Sequence, residues 1–261
     1  MKLLTLNCHS WQEDDQLAKI TILAETIQEK SYDVIALQEV SQSIKSEIID
    51  GQVKKDNFAR VLLEELKKLG NTDYQFAWDF SHIGYDIYEE GIALLTKHPI
   101  ENTTSFFISQ SENTEYWKTR KIIGADIRIE DDTFSFYSCH LGWWGDEEEP
   151  FKKQIDALCD KANGNEKYFL MGDFNNDAYI KGEGYDYLLN KGLYDSYTLS
   201  KEKDSGITVA GKIAGWDKNK CDLRIDYIFS NFPVNVQNSS VIFNGENKPV
   251  ISDHYGVEIT I

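Results

Sequence analysis

Apolar positions along this chain fall in short runs, and most runs end on a polar residue. The runs 1–8, 32–38, 74–78, 91–96, 122–129, 133–140, 167–172, 224–230, 239–243 and 254–260 have strand length and strand composition. The acidic turn Glu130-Asp131-Asp132 separates two of them. A 3.6-residue period marks other stretches. In 14–30, Leu17, Ile20, Ala24 and Ile27 share a face, and Asp14 or Asp15 can cap the start. A second helix is expected over 56–69, closed by Gly70. A third is expected over 149–162, where Pro150 suits the first turn and Phe151, Ile155 and Leu158 line one side. A short helix is expected near 184–190.

Helices alternate with strands in both halves. Two analogous units stand out: helix–strand–Gln-Glu over 17–39 and helix–strand–Gly-Asp over 151–173. The pattern predicts an α/β (α+β) chain of two packed sheets with helices outside, which would bring both acids to one edge. No Pro/Gly/Ser linker, low-complexity tract or repeat interrupts 1–261, so one domain is expected.

Composition narrows the class. A hydrophobic fraction of 41% with 13% aromatic residues suffices for a sizeable core and excludes general disorder. The first apolar run is too short for a secretion signal, and no run reaches a membrane span of roughly 18–20 residues. A cytoplasmic protein without a membrane partner is expected. The four cysteines, Cys8, Cys139, Cys159 and Cys221, form no CxxC pair and read as free thiols. Cys8 and Cys139 are expected to pack as small apolar groups. A net charge of −17, with no Lys/Arg stripe, argues against nucleic acid as a partner.

The polar tips carry the candidate chemistry. Glu39 ends a buried run and offers a carboxylate to a hard cation, and Asn7 could add an amide oxygen. In GDFNND, Gly172 permits a tight exit, and Asp173 and Asn175 point the same way. Asp173 could orient or deprotonate water while Asn175 holds a phosphoryl oxygen. Asp177 reads as a turn residue. In SDH, Asp253 can fix the tautomer of His254 and favour its charged form. Asp226 in RIDY is a second candidate for that role or for the metal shell. His140 follows an alternating strand, with Glu90 as the acceptor expected behind it. Arg120 offers a planar fork for phosphate.

This ordered set, from Asn7 to Asp253-His254, resembles the endonuclease/exonuclease/phosphatase superfamily over essentially the whole chain. The resemblance implies a DNase I-like four-layer α/β sandwich with two mixed sheets flanked by helices. It also implies hydrolysis of a phosphate ester with Mg²⁺, Mn²⁺ being compatible with the same ligands. It makes Glu39 the chief metal ligand with Asn7 beside it, Asp253 a further ligand candidate, and Asp173 the group that positions or activates water. Asn175 would contact phosphate. His140 and His254 would flank the phosphoryl group, backed by Glu90 and by Asp226 or Asp253. The stretches SHIGYDIYEEG, SCHLGWWGDEEEPFKKQ and GITVAGKIAGWDKNK are similar to a branch of sugar-phosphate phosphatases that includes maltose 6′-phosphate phosphatases. A small phosphorylated sugar is the implied partner, with no nucleic acid expected; a metal-dependent nuclease or a sphingomyelinase-like phosphodiesterase is the alternative on the same site.

Trp143-Trp144 follow His140 directly, and indole faces stack on sugar rings. Trp216, with Asp217 and Lys218, could wall the same pocket. Simple packing of the Trp pair, or a membrane-inserting wedge, are the competing readings. The acidic run 146–149 opposes the wedge and would also repel DNA.

Overall fold

Alternation decides how each central strand divides its side chains. The computed structural model describes residues 1–216 and 218–261. Its first half contains β1 (Lys2–Asn7), α1 (Gln16–Lys30), β2 (Val34–Ser43), β3 (Ile48–Asp50), β4 (Val53–Lys54), α2 (Phe58–Lys68), β5 (Gln75–Gly84), β6 (Tyr88–Thr96) and β7 (Ile100–Phe107). Then follow β8 (Lys121–Ile129), β9 (Asp132–His140), α3 (Phe151–Ala162), β10 (Tyr168–Asp173), α4 (Gly184–Asn190), β11 (Tyr194–Asp195) and α5 (Ser196–Leu199). The chain ends with β12 (Glu202–Lys203), β13 (Asp226–Ser230), β14 (Asn238–Ile242) and β15 (Gly256–Thr260).

Two mixed sheets result. One has the order β12-β14-β15-β1-β2-β6-β5, the other β11-β13-β10-β9-β8-β7. Leu3, Val34, Ala36, Ile92 and Leu94 of the first sheet meet Ile123, Phe136, Phe169, Met171 and Ile228 of the second in a central core. The alternate residues face outwards. Leu4, Leu6, Ile35 and Leu37 pack under α1 and α2. Tyr137, Cys139, Leu170 and Phe229 pack under α3 and α4. Helix, sheet, sheet, helix is the four-layer sandwich expected above.

The expected helices are present, with local differences. Leu17 is 65% exposed because it lies beside the buried stripe of Ile20, Leu23, Ala24 and Ile27, outside it. Asp15 starts α1 with φ 52° and its side chain makes no cap; Gln16 instead accepts the Trp11 N–H at 2.7 Å. Asn57 caps α2 by accepting from the Arg60 N–H. Strand β7 was not expected. Its middle, Glu101–Ser105, is exposed at a sheet edge, so backbone pairing with β8 forms it without an apolar alternation.

Two local features aim the strand ends. Between Leu37 and Val40 the β2–β6 register slips at a bulge. Leu37 and Val40 therefore both face the α1–α2 layer although they are three residues apart. Glu39, at φ 51°, is the residue the bulge turns out of that layer. In β10, Gly172 has φ 153°, and a Cβ there would stand 1.8 Å from the Cys139 carbonyl oxygen. We expect Gly172→Ala to destabilise the fold by about 3 kcal/mol, from strain plus overpacking. Urea unfolding checks this, and an unchanged midpoint would contradict it.

Candidate active site

Sheet register builds one wall of the site. Asp173 of β10 is paired with His140 on β9 and with Asp226 on β13. All three continue the inward-facing rows of their strands, so carboxylate, imidazole and carboxylate stand side by side at one sheet edge. The facing sheet supplies Asn7 and Glu39. Asn7 Nδ2 donates to Glu39 Oε1 at 2.8 Å and to Asp173 Oδ2 at 3.2 Å, linking the two sheets.

Asp173 is the hub. Its Oδ1 accepts the Asn175 N–H at 2.8 Å. Its Oδ2 stands 3.7 Å from both His140 Nε2 and His254 Nε2. Burial, then the Asp226 and Glu39 charges, outweigh the help of His254 and push Asp173 up to about 7. His254 contacts Asp226 through Nδ1 at 3.0 Å. Burial alone would lower His254, but the Asp226 and Asp173 carboxylates prevail and hold it well above the usual imidazole range. His140 goes the opposite way. Burial first, then the positive charge of Arg120 and that of His254 nearby, hold it well below that range. One imidazole is thus kept charged and the other neutral around one carboxylate.

Of the residues expected from sequence, Asn7, Glu39, Asp173, Asn175, His140, Asp226 and His254 come together. Others are placed differently. The partner of His254 is Asp226; Asp253 lies 3.8 Å from His9 Nδ1 instead. Glu90 does not back His140: it pairs with His82 across β5–β6, with Oε1 3.5 Å from Nε2. Asn7 turns its nitrogen, not its oxygen, towards Glu39, because its oxygen accepts the His9 N–H at 3.2 Å. The Asn175 amide is engaged by Leu141 O and by Trp216 Nε1, so its side chain braces the loop beneath the pocket. Trp216 therefore stands behind Asn175, and Ile213, Ala214 and Gly215 line the pocket in its place. Trp144 turns away to pack on Phe151 and Tyr187 under α3 and α4. Trp143 and Arg120 do line the pocket. Asp217 lies outside the described residues.

His9, His82 and Trp117, none of them among the residues expected from sequence, also line the pocket. His9 follows the Asn7 tip by two residues, and that adjacency was the available signal. His82 and Trp117 sit in stretches without a core period, which gave none.

The donor set suits a hard divalent cation. Burial first, then the Glu90 and Asp253 charges, push Glu39 up to about 7, so a cation there would relieve carboxylate crowding. Close ligand-type groups among the described residues are Asp173–Asp226–His254 and His9–Glu13–Asp253. Glu39 lies outside both groups.

A four-layer sandwich with carboxylates, amides and imidazoles at one edge of both sheets defines a DNase I-like phosphoesterase scaffold. The chain belongs to the Endonuclease/Exonuclease/phosphatase family, whose sequence model matches residues 4–254. Members of this family are metal-dependent hydrolases that act on phosphoesters. A solved family protein from Leptotrichia buccalis is 43% identical with a TM-score of 0.94, the match covering 100% of this chain and 99% of that one. The mannosyl-6-phosphatase of Bacteroides thetaiotaomicron is 18% identical with a TM-score of 0.71, covering 100% and 98%. The beta toxin of Staphylococcus aureus is 15% identical with a TM-score of 0.66, covering 100% and 99%. At those identities the last two share the fold. No curated protein sequence matches significantly. No helix among the described residues is long and apolar enough to cross a membrane.

Proposed function

We propose that this protein is a Mg²⁺-dependent phosphomonoesterase acting on a phosphorylated sugar, of which a disaccharide 6-phosphate is the best fit. The observation that carries this reading is the pocket. It has a volume of about 520 Å³, and its lining combines Glu39, Asp173, His140, His254 and Arg120 with the aromatic side chains of Trp117 and Trp143. That size suits a small ligand held on most sides. The mannosyl-6-phosphatase shares the fold and agrees with the reading. Four free cysteines, three of them buried, agree with a cytoplasmic site of action.

In this account Asp173 Oδ2 takes the proton of the attacking water, and Asn7 and Asn175 fix that carboxylate by hydrogen bonds. His254, kept protonated by Asp226, places its Nε2–H against charge developing on the phosphoryl group. Neutral His140 offers a second hydrogen bond without adding charge. Arg120, close enough to Glu90, Glu39 and Asp173 to feel their charges, balances the negative site. Glu39 is the residue we assign to hold the cation, with Asp253 beside it. When bound, the cation supplies charge neutralisation on the phosphoryl oxygens and acidifies water.

Metal binding at Glu39 is expected to depend on pH. Glu39 is protonated below about 7 in the metal-free protein, and only its carboxylate can bind a cation. Binding below that pH must expel a proton. Apparent Mg²⁺ affinity is therefore expected to fall roughly tenfold per pH unit as pH drops below the Glu39 value, and to level off above it. Titration calorimetry between acidic and mildly alkaline pH reads this directly; a flat profile would remove Glu39 from the ligand set.

The substrate class is tested by offering phosphorylated sugars beside supercoiled plasmid and sphingomyelin. Phosphate release from a sugar phosphate with intact plasmid and lipid is expected. Cleavage of either diester with silent sugar phosphates would move the protein to the phosphodiesterase reading.

A further inference from the structure

The aromatic part of the pocket lining has a construction of its own. Trp117 and Trp143 meet with ring centroids 6.1 Å apart and planes inclined at 58°. They come from different loops, 108–120 and 141–150, and both loops are tied down. The buried Glu149 carboxylate accepts the N–H groups of Gln110 and Ser111 at 2.7 and 2.8 Å. Lys118 bridges Asp146 and Glu148 at 2.7 and 2.6 Å. Arg120 Nη1 donates to the Trp117 carbonyl at 2.9 Å, so a residue of the pocket lining also anchors the Trp117 loop. Gly215 closes on the far side, where even a Cβ would stand 2.3 Å from the Trp143 ring. Trp117 is nevertheless 51% exposed. A half-exposed indole held by this many bonds is pre-organised for something that covers it.

We propose that Trp117 and Trp143 form a recognition site for a neutral, polyhydroxylated ring, the sugar unit that does not carry the phosphate. The assignment rests on the phosphomonoesterase reading for the position of the phosphate, and goes beyond it in naming what holds the rest of the molecule. Two features select this chemistry. A flat base is held best in a parallel slot, whereas planes at 58° make a corner. A saccharide ring fills a corner, setting its C–H face on one indole and its edge on the other. The exposed carboxylates Asp86 and Glu115 line the same mouth. They accept hydrogen bonds from hydroxyl groups and repel a second phosphate, which every further nucleotide of a nucleic acid would bring. The site therefore takes a disaccharide monophosphate and disfavours an oligonucleotide by shape and by charge.

The test separates binding from turnover. Maltose and adenosine, both uncharged, are titrated calorimetrically into the whole wild-type protein and into Trp117→Ala. Maltose is expected to bind more tightly than adenosine, and Trp117→Ala to weaken maltose about tenfold, the scale of one lost aromatic contact. In steady-state kinetics, Trp117→Ala should raise KM for a disaccharide phosphate about tenfold more than KM for glycerol phosphate, with Trp117→Phe recovering most of the difference. Tighter adenosine than maltose, or equal KM changes for both esters, would overturn the sugar site while leaving the phosphatase reading intact. Maltose binding that depends on Trp117 in a protein that releases no phosphate from any monoester would support the sugar site and reject the phosphatase reading.

Discussion

Asp173→Asn is expected to lower kcat by on the order of 10³-fold while the protein stays folded, the scale of a lost general base. The substitution keeps the shape and keeps one oxygen for the Asn175 N–H. It removes the carboxylate oxygen that stands 3.7 Å from both imidazoles and could accept a proton from a water held there. Stability should survive for a physical reason. Burial and the Asp226 and Glu39 charges raise the folded-state pKa of Asp173 to about 7, so the native state holds its proton more tightly than the unfolded chain. Such a group opposes folding increasingly as pH rises from the ordinary carboxylate range to about 7, and an uncharged amide escapes that penalty. KM should change little, because Asp173 acts on the water and not on the sugar. Stopped assays over long times, with thermal melts as control, check both halves. Wild-type turnover would remove Asp173 from the mechanism.

Glu39→Gln is expected to weaken Mg²⁺ binding by about 100-fold or more, because a carboxylate that carries the cation's charge is replaced by a neutral amide. Activity should fall with it, and part should return at high Mg²⁺, which Asp173→Asn would not show. The strained φ of 51° at the bulge is the same for both side chains, and Asn7 can still bond the remaining oxygen, so the fold is expected to persist. Calorimetry of Mg²⁺ binding and activity as a function of Mg²⁺ give the two readouts. Unchanged metal affinity would place the cation elsewhere, and the Asp173–Asp226–His254 group would then be the first place to look.

The layers were legible in the chain because the apolar runs are short, alternate with amphipathic helices and end on polar groups. The acids at the ends of the 32–38 and 167–172 runs do meet, since parallel pairing of β1 with β2 and of β9 with β10 brings those ends to one edge. What the chain hides is set by register. The bulge that turns Glu39 is a one-residue slip between β2 and β6 with no composition mark. The same is true of the His82–Glu90 pairing across β5–β6: the chain shows both residues but not the register that sets Glu90 beside His82 and not behind His140. Adjacent Trp143 and Trp144 lie in a loop without a period, so nothing local tells which one packs on Phe151 and which one faces the pocket. His254 could be paired with Asp226 only once β13 had been set beside β10.

Inorganic phosphate released from maltose 6′-phosphate by the purified protein, with Mg²⁺ and with EDTA, beside Asp173→Asn, decides whether this site hydrolyses a sugar phosphate. Release that requires Mg²⁺, stops with EDTA and falls about 10³-fold in the variant is the predicted result. Release that persists in EDTA, or that the variant sustains, would contradict the account.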